Sequence, residues 1–329
     1  MSLREDINYS VWCDFIERDF LENEFQELIS QNIIHGATSN PAIFQQSITN
    51  SSAYDAHINM LQVNDVKKIY EELAITDIKR AAQLLKPLYD NDANDGFISL
   101  EVDPALCNDM MGTIEEGARL HSQIGYENVM IKIPATEAGY GAMKELTAIG
   151  ICVNATLIFS PIQARRCAEA LSEGIKQSGK DTKGVVSIFV SRFDRLLDQQ
   201  LKNYELEPSK VGIVNATKCY HEIEKFDNKN IRTLFASTGV KGDDLKQSYY
   251  IDELIYPNSI NTAPLNTIKD WMQEGSKEQS KVLTEMECDI YFKKIKKHIN
   301  MDEVYQKLLQ DGLSAFKVSF QELLKKIKL

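Results

Sequence analysis

The chain has 329 residues, of which 43% are hydrophobic and 26% are charged, a composition typical of a globular protein. A formal net charge of −11 argues against a protein dedicated to binding nucleic acid, but it leaves room for a local basic pocket that holds an anionic substrate. No stretch approaches the roughly 18 apolar residues of a membrane span, and the N-terminus has no apolar signal core, so we expect a cytoplasmic protein with no membrane partner. The dispersed cysteines and histidines show no metal-ligand spacing.

Short β-branched runs alternate with stretches of helical periodicity along the chain. The predicted strands span residues 10–15, 33–41, 96–102, 128–134, 150–159, 184–191, 232–239 and 249–255. The predicted helices span residues 17–32, 53–89 in two pieces, 103–124, 139–145, 161–178, 195–204 and 211–226, with three or more in the tail from about Ile268. Strands separated mostly by helices predict βα repetition and a parallel sheet.

Eight βα units are the number found in a TIM barrel. We therefore predict the α/β class and a (β/α)8 TIM barrel with additional N- and C-terminal helices, because the ~250 residues of a typical barrel leave about 80 for extra helices. A doubly wound open sheet is the alternative. No Gly/Ser/Pro-rich linker marks a boundary, so residues 1–329 are predicted to form a single domain, with the C-terminal helices from about 268 packed on the barrel.

Lys132 lies in the middle of an apolar strand that Pro134 ends. With period two, its apolar neighbours Val129, Ile131 and Ile133 share one face, and the lysine points to the other. A buried ammonium group is costly unless it is paired or loses its proton, and a neutral amine attacks carbonyl carbons. Lys132 is therefore a candidate Schiff-base residue. The alternatives are a head group that reaches solvent at the strand end and a buried structural ion pair.

The same alternation predicts polar side chains inside the barrel near the carboxyl ends of several strands, where barrel enzymes assemble their sites. In the fifth strand, Val153, Ala155 and Leu157 are expected to face outward. The polar residues expected to face inward, besides the lysine, are Asp14, Thr38, Asn40, Ser99, Glu101, Asn154, Thr156 and Ser187. Polar residues scattered at random would not fall on the inner face of several strands, so the pattern favours a catalytic pocket.

Structural roles are the alternatives for these polar residues. Asp14 could instead cap the helix that follows it, and Glu101 could form an ion pair with Lys132. The amide and hydroxyl groups could satisfy one another through hydrogen bonds, a set that comprises Asn40, Asn154, Thr156 and Ser187.

Two further features follow the sixth and seventh strands. Arg192 is out of phase with Ser187, so we expect it on the loop after the sixth strand, with a surface ion pair as its default role. Residues 237–241 follow the seventh strand, in the region where barrel enzymes often bind phosphate. Their glycine lets backbone N–H groups approach an anion, and Lys241 supplies charge.

Lysine pairs interleave with apolar residues near the end of the chain, at 293–294, 296–297 and 325–326. This pattern could indicate binding to nucleic acid or to a membrane. We favour amphipathic helices that dock on the barrel and keep their lysines in water.

Seven strings, in order along the chain, resemble those of the transaldolases, Schiff-base enzymes of the pentose phosphate pathway with an (α/β)8 barrel. They are Trp12-Cys-Asp14, Gly36-Ala-Thr-Ser-Asn-Pro41, Ser99-Leu-Glu-Val-Asp103, Ile131-Lys-Ile-Pro-Ala-Thr136, Val153-Asn-Ala-Thr-Leu-Ile-Phe-Ser160, Ser187-Ile-Phe-Val-Ser-Arg192 and Ala236-Ser-Thr-Gly-Val-Lys241. Some family members carry an arginine near the place of Lys241, where this chain departs from them. The C-terminal region fits by length and position only.

The resemblance implies a role for each matching residue. Lys132 would form an imine with the keto carbon of a ketose phosphate, and Asp14 would be the acid/base that takes a proton from the hydroxyl two carbons along. Glu101, through a water held by Thr156, would shuttle protons while the imine forms. The residues implied to bind substrate are Asn40, Asn154 and Ser187 for hydroxyl groups, and Arg192, Ser237 and Lys241 for phosphate.

The implied reaction transfers a dihydroxyacetone unit from sedoheptulose 7-phosphate to glyceraldehyde 3-phosphate, giving erythrose 4-phosphate and fructose 6-phosphate. It needs no metal or other cofactor, and the implied partners are sugar phosphates, with the protein a monomer or a homodimer. A class I aldolase of the same superfamily, which protonates the enamine instead, is the nearest rival. A phosphosugar-binding barrel without catalysis would require the loss of Lys132, Asp14 or Glu101, and all three are present.

Overall fold

Eight strands form a closed barrel in which neighbouring strands run parallel, in a computed structural model that describes residues 3–61 and 65–327. The predicted (β/α)8 TIM barrel is therefore confirmed, and the doubly wound open sheet is excluded. Residues 62–64, which belong to the helical stretch predicted over 53–89, lie outside the described residues.

The strands are short and almost entirely buried. They are β1 (Ser10–Cys13), β2 (Gly36–Thr38), β3 (Phe97–Glu101), β4 (Val129–Pro134), β5 (Val153–Ile158), β6 (Gly184–Phe189), β7 (Ile231–Ala236) and β8 (Ser259–Ala263). Every strand residue is buried, as in other parallel sheets that helices cover on the outside.

Helices connect and cover the strands. They are α1 (Leu3–Ile7), α2 (Arg18–Glu22), α3 (Glu24–Ser30), α4 (Pro41–Asn50), α5 (Asp55–Met60), α6 (Val66–Asn91), α7 (Met110–Ile124), α8 (Glu137–Ala148), α9 (Pro161–Ser178), α10 (Ser191–Asn203), α11 (Val211–Glu224), α12 (Tyr249–Asp252), α13 (Leu265–Glu274), α14 (Glu285–Ile295) and α15 (Met301–Ile327). Several begin at a side-chain cap. At the start of α9, for example, the Ser160 hydroxyl accepts a hydrogen bond from the backbone N–H of Gln163. None of these helices is long and apolar enough to cross a membrane.

The predicted position of the eighth strand was wrong. Residues 249–255 contain the short helix α12, and β8 begins only at Ser259. The apolar residues Tyr250, Ile251 and Leu254 are buried, which a packed helical turn achieves as well as a strand does. A short apolar run does not distinguish the two, and β8 was overlooked because its sequence, Ser-Ile-Asn-Thr-Ala, is largely polar.

Other element boundaries also differ from the predictions. The helix predicted over 17–32 is divided at Asn23 into α2 and α3. Asp103 caps a 3-10 turn, Pro104–Asn108, and α7 begins after it at Met110. Helix α4 follows Asn40 directly and was not predicted, because its polar residues hide its periodicity.

Strand β5 departs from regular alternation near its end. The register between β5 and β6 shifts between Ala155 and Ile158, and Leu157 has a φ of 56°. Leu157 packs against Gly312 of α15, and a Cβ added to this glycine would lie 3.0 Å from Leu157 Cδ2. The expected outward orientation of Leu157 was therefore wrong, because a bulge breaks the period-two pattern.

The barrel interior has an apolar middle between two polar ends. The middle consists of Trp12, Phe97, Met130, Cys152, Val185, Leu234 and Ile260. Gly36 faces Trp12, and a Cβ at this position would lie 2.6 Å from the indole ring, so only glycine fits beside the tryptophan. This packed middle separates the amino end of the barrel from the carboxyl end, where the predicted site residues lie.

Helices α14 and α15 are amphipathic, as the lysine-rich pattern predicted. Phe292, Ile295 and Leu323 are buried, while the lysines at 293–294 and 325–326 are exposed. Helix α15 contacts α4, α6 and β5, and it lies beside the carboxyl end of the barrel. Its position brings a distant part of the chain to the candidate site.

Candidate active site

A pocket of about 340 Å³ opens at the carboxyl ends of the strands. Seven of the ten predicted site residues line it, namely Asp14, Asn40, Lys132, Ser187, Arg192, Ser237 and Lys241. The other three, Glu101, Asn154 and Thr156, are buried and lie outside its lining. The carboxyl end of the barrel therefore brings most of the predicted residues into one cavity, and the other three lie in β3 and β5, the strands on either side of β4.

Lys132 is held at the centre of β4 by its neighbours in the sheet. The register places Glu101 of β3 on one side of it and Asn154 of β5 on the other. Its side chain is buried, with 5% of the residue exposed, and Nζ donates a hydrogen bond of 3.1 Å to the carbonyl oxygen of Ser39. Lys132 forms no ion pair within the described part of the chain. Both alternative roles for this lysine, solvent exposure and a structural ion pair, are therefore wrong.

Glu101 is a buried carboxyl group with unused hydrogen-bonding capacity. Within residues 3–61 and 65–327, its Oε2 atom has no hydrogen-bond partner. Burial raises the pKa of Glu101 to about 8, the Lys132 ammonium group opposes this rise, and the charge of Asp14 adds to it. Glu101 therefore carries a proton at neutral pH and can act as an acid.

Asp14 directly follows β1 and lines the pocket. Its Oδ1 accepts a hydrogen bond of 2.6 Å from the Thr38 hydroxyl, which lies 2.7 Å from the Thr262 hydroxyl. Burial raises the pKa of Asp14, while Lys132 and Thr38 lower it. The alternative role as a helix cap was wrong, because Glu17 caps α2. Asp14 is free to exchange a proton with a bound molecule.

The remaining polar residues differ in how many of their side-chain polar atoms have hydrogen-bond partners. Ser187 donates a hydrogen bond of 2.6 Å to Asn154 Oδ1, and Asn154 Nδ2 donates one of 3.2 Å to Ser99. Asn40 caps α4 by accepting from two backbone N–H groups. Thr156 Oγ1 is buried and has no partner among the described residues. The alternative of mutual hydrogen bonding thus holds for Asn154 and Ser187, whereas Thr156 has a free hydroxyl.

Arg192 lies in the first turn of α10 and not on a loop, so its predicted location was wrong. Its guanidinium carbon is 4.8 Å from the centroid of the Phe189 ring. Burial lowers the pKa of Arg192 to about 10, the Arg195 charge acts in the same direction, and Asp311 opposes both. The strand β6 ends at Phe189 and α10 begins two residues later, which places the arginine in the lining of the pocket.

Three cations line the pocket near this helix without carboxylate partners. Arg192, Arg195 and Lys241 form no salt bridge in the described ranges, so the default role of Arg192 in a surface ion pair was wrong. Ser237 has a φ of 56°, an uncommon value that places its hydroxyl 3.2 Å from the Ser191 hydroxyl. Unpaired cations, hydroxyl groups and a helix N-terminus form a suitable binding site for an anion.

Several lining residues were not predicted from the sequence. Thr262 was missed because β8 was placed too early in the chain. Arg195 follows Arg192 by three residues on α10, and that helical spacing was the one available signal for it. Ala315 and Phe316 of α15 also line the pocket, and no local pattern connects that helix with the barrel end.

The family model described as Transaldolase/Fructose-6-phosphate aldolase matches residues 11–327. The chain belongs to this family. The protein named transaldolase from Campylobacter jejuni (strain RM1221) is 47% identical over 329 residues, which covers 97% of this chain and 99% of that protein. The transaldolase from Helicobacter pylori (strain Shi470) is 46% identical over 318 residues, covering 96% of this chain and 98% of that protein.

In this member of the transaldolase/fructose-6-phosphate aldolase family, one pocket combines two chemical environments. The primary amine of Lys132 and the carboxyl group of Asp14 line it, and the carboxyl group of Glu101 is buried next to Lys132 in the sheet. Burial raises the pKa of both carboxyl groups. Unpaired cations line the same cavity. The amine can form an imine with a carbonyl compound, the carboxyl groups can exchange protons, and the cations can bind an anionic group of the same molecule.

Proposed function

We propose that this family member is a transaldolase. It transfers a dihydroxyacetone unit from sedoheptulose 7-phosphate to glyceraldehyde 3-phosphate through an imine on Lys132. The observation that carries the proposal is the position of Lys132, buried in the barrel beside Glu101 and yet lining the pocket. The names of the Campylobacter and Helicobacter relatives support the same activity.

The first step is attack of Lys132 Nζ on the keto carbon, C2, of the ketose. Proton transfers convert the C2 oxygen into water, which leaves as the C=N bond forms. Glu101 is suited to supply these protons, because its raised pKa keeps it protonated at neutral pH. The unsatisfied Glu101 Oε2 and Thr156 Oγ1 atoms support a water between them as the carrier, and each such transfer contributes about 10²–10⁴ in rate.

The second step breaks the bond between C3 and C4. Asp14 takes the proton from the C4 hydroxyl, C4 becomes an aldehyde carbon, and the bonding electrons enter the protonated imine to give an enamine. Thr38 orients the Asp14 carboxylate through a hydrogen bond of 2.6 Å. The aldehyde leaves, glyceraldehyde 3-phosphate takes its place, and the same groups act in reverse to form fructose 6-phosphate.

Substrate binding uses the two ends of the pocket. Asn40 and Ser187 line its wall, and Asn154 supports Ser187 from behind, so these residues are positioned for the hydroxyl groups of the three-carbon unit. Arg192, Ser237 and Lys241 are positioned for the phosphate, to which charge-assisted hydrogen bonds are well suited. As part of the same proposal, the reaction belongs to the pentose phosphate pathway in the cytoplasm.

Borohydride reduction in the presence of fructose 6-phosphate, followed by peptide mass mapping, tests the imine. We expect a reduced three-carbon adduct on Lys132. Lys183 is the internal control, since it is also a buried lysine but donates to Asp181 at 2.8 Å and to Asn230 at 2.9 Å. The absence of any adduct would overturn the mechanism and favour a binding protein without catalysis, whereas an adduct on Lys183 or any other lysine would overturn the role of Lys132.

Product analysis separates a transaldolase from an aldolase of the same family. Fructose 6-phosphate is incubated with and without erythrose 4-phosphate as acceptor, and sedoheptulose 7-phosphate and free dihydroxyacetone are measured. We expect rapid formation of sedoheptulose 7-phosphate with the acceptor and little free dihydroxyacetone without it. Equally rapid release of dihydroxyacetone in both cases would show that the enamine is protonated, which is the aldolase reaction.

A further inference from the structure

Arg195 is a cation of the pocket that the proposed mechanism does not use. It lines the pocket together with Arg192, three residues earlier on α10, where side chains at this spacing are neighbours about 5–6 Å apart at Cβ. The acids closest to it along the helix are already engaged. Asp194 accepts from the Gly212 amide and the Tyr250 hydroxyl, and Asp198 accepts two hydrogen bonds from residue 209. The Arg195 charge is therefore available to a ligand.

The two arginines differ in depth. Arg192 is half-buried against Phe189, and its Nη1 lies 3.3 Å from the place a Cβ on Gly312 would occupy, so neighbouring groups confine it. Arg195 is exposed, and with Lys241 it also lines a larger open cavity next to the pocket. Arg192 thus lies on the inner side of the pocket and Arg195 at its mouth.

The two donor ketoses of the proposed reaction differ in length. When C2 is fixed on Lys132, the phosphate of sedoheptulose 7-phosphate lies one carbon farther along the chain than that of fructose 6-phosphate. One C–C bond of about 1.5 Å moves the phosphate toward the mouth. A single cation confined by its neighbours cannot contact both positions equally well, because charge-assisted hydrogen bonds need short donor–acceptor distances.

We propose that Arg195 binds the phosphate of the seven-carbon ketose, whereas Arg192, with Ser237 and Lys241, is sufficient for the six-carbon ketose, so that Arg195 sets the preference between the two donors. This inference rests on the proposed function. The aldehyde products share these phosphates, because cleavage of the C3–C4 bond leaves the phosphate of sedoheptulose 7-phosphate on erythrose 4-phosphate. Arg195 therefore contacts erythrose 4-phosphate as well, and glyceraldehyde 3-phosphate does not depend on it.

The test measures KM for all four sugar phosphates in the wild-type protein and in Arg195→Gln. We expect KM to rise about tenfold for sedoheptulose 7-phosphate and erythrose 4-phosphate, while KM for fructose 6-phosphate and glyceraldehyde 3-phosphate stays near the wild-type value. Arg195→Lys keeps the charge and should recover part of the loss. Arg165→Gln is the matched control, because Arg165 is exposed on α9 outside the pocket, and it should leave all four values unchanged.

Two results would overturn the inference. An equal rise in KM for all four substrates would mean that Arg195 acts only through the overall electrostatic potential of the pocket. No rise in KM for any of them would mean that Arg195 does not contact the phosphate. Failure of the proposed function is recognised separately, since the wild-type protein would then show neither the adduct on Lys132 nor transfer between any of these sugars.

Discussion

Both ends of the barrel interior bury charged side chains, and the two ends satisfy those charges differently. At the amino end, Arg232 of β7 donates four hydrogen bonds of 2.6 to 3.1 Å through its Nη atoms, to Asn8, Ser10, Asn94 and Ser259. Among the described residues, Nε is the one nitrogen of this guanidinium group without a partner. At the carboxyl end, Lys132 donates a single hydrogen bond, and Glu101 Oε2 and Thr156 Oγ1 have no partner in the described chain.

This difference distinguishes a structural charge from a reactive one within the same fold. Burial lowers the pKa of Arg232 to about 10, but its hydrogen bonds connect β7, β8 and the segment before β1, so it stabilises the closed end of the barrel. Partially satisfied groups at the other end leave hydrogen-bonding capacity that a substrate can use. In barrel enzymes the amino end contributes stability and the carboxyl end contributes catalysis.

The largest effect is expected from Lys132→Met. Removal of the amine prevents imine formation, so kcat/KM should fall by a factor on the order of 10⁵. The variant should unfold at the same temperature as the wild-type protein or higher, because an apolar side chain replaces a buried charge with few partners. Retained activity, or a large loss of stability, would show that Lys132 resembles Arg232 and has a structural role.

Glu101→Gln should reduce kcat by about 10²–10⁴ through loss of a proton donor. The binding of fructose 6-phosphate should change little, since Glu101 lies outside the lining of the pocket. Single-turnover formation of the imine, trapped by borohydride at successive times, measures the affected step. A normal rate of trapping would contradict the proposed role.

The raised pKa of Glu101 also predicts a pH dependence of stability. Because the folded protein holds this proton up to a pKa of about 8 and the unfolded chain releases it near its ordinary value, the contribution of Glu101 is fully present at low pH and is lost progressively as pH rises from that ordinary value through about 8. The Gln variant cannot ionise, so its Tm relative to wild type should increase between pH 5 and pH 9. A constant difference would mean that Glu101 is not protonated in the folded state.

Arg232→Met should lower stability and leave catalysis unchanged, which is the opposite of the effect expected for Lys132→Met. Loss of its hydrogen bonds leaves several buried acceptors unsatisfied, so the free energy of unfolding should fall by about 3 kcal/mol, while kcat of the folded protein stays unchanged. Arg119→Met is the matched control, because Arg119 is 39% exposed beside Glu71 and should contribute about 1 kcal/mol or less. Denaturant unfolding and activity assays on the same samples test whether the amino end of the barrel contributes to stability and the carboxyl end to catalysis.

Thr156→Val should have the smallest effect, a decrease of about tenfold in kcat, the value of one hydrogen bond to a catalytic water. Thr233→Val is the control. Its hydroxyl is likewise buried without a partner among the described residues, but Thr233 alternates with the inward-facing Arg232 and Leu234 and so faces away from the site. Equal effects of the two substitutions would assign Thr156 to packing alone.

Local patterns in the chain were sufficient to predict the barrel and the inward direction of most site residues. The period of two along each strand placed Asp14, Asn40, Lys132 and Ser187 on the inner face, and all four line the pocket. Alternation is a property of the strand itself, so it can be read without knowledge of any other element. The strings shared with the transaldolases identified the family for the same reason, since each of them is contiguous in sequence.

Other features depended on contacts between distant parts of the chain. The buried run around Ile251 folds as a helix and the polar segment at Ser259 folds as β8, because closure of the barrel determines which segment pairs with β1 and β7. Gly312 of α15 leaves room for the side chain of Leu157 at the bulge, and the same helix lines the pocket with Phe316. Periodicity describes neighbours along the chain, whereas the shape and depth of the pocket arise from packing between residues that are far apart in it.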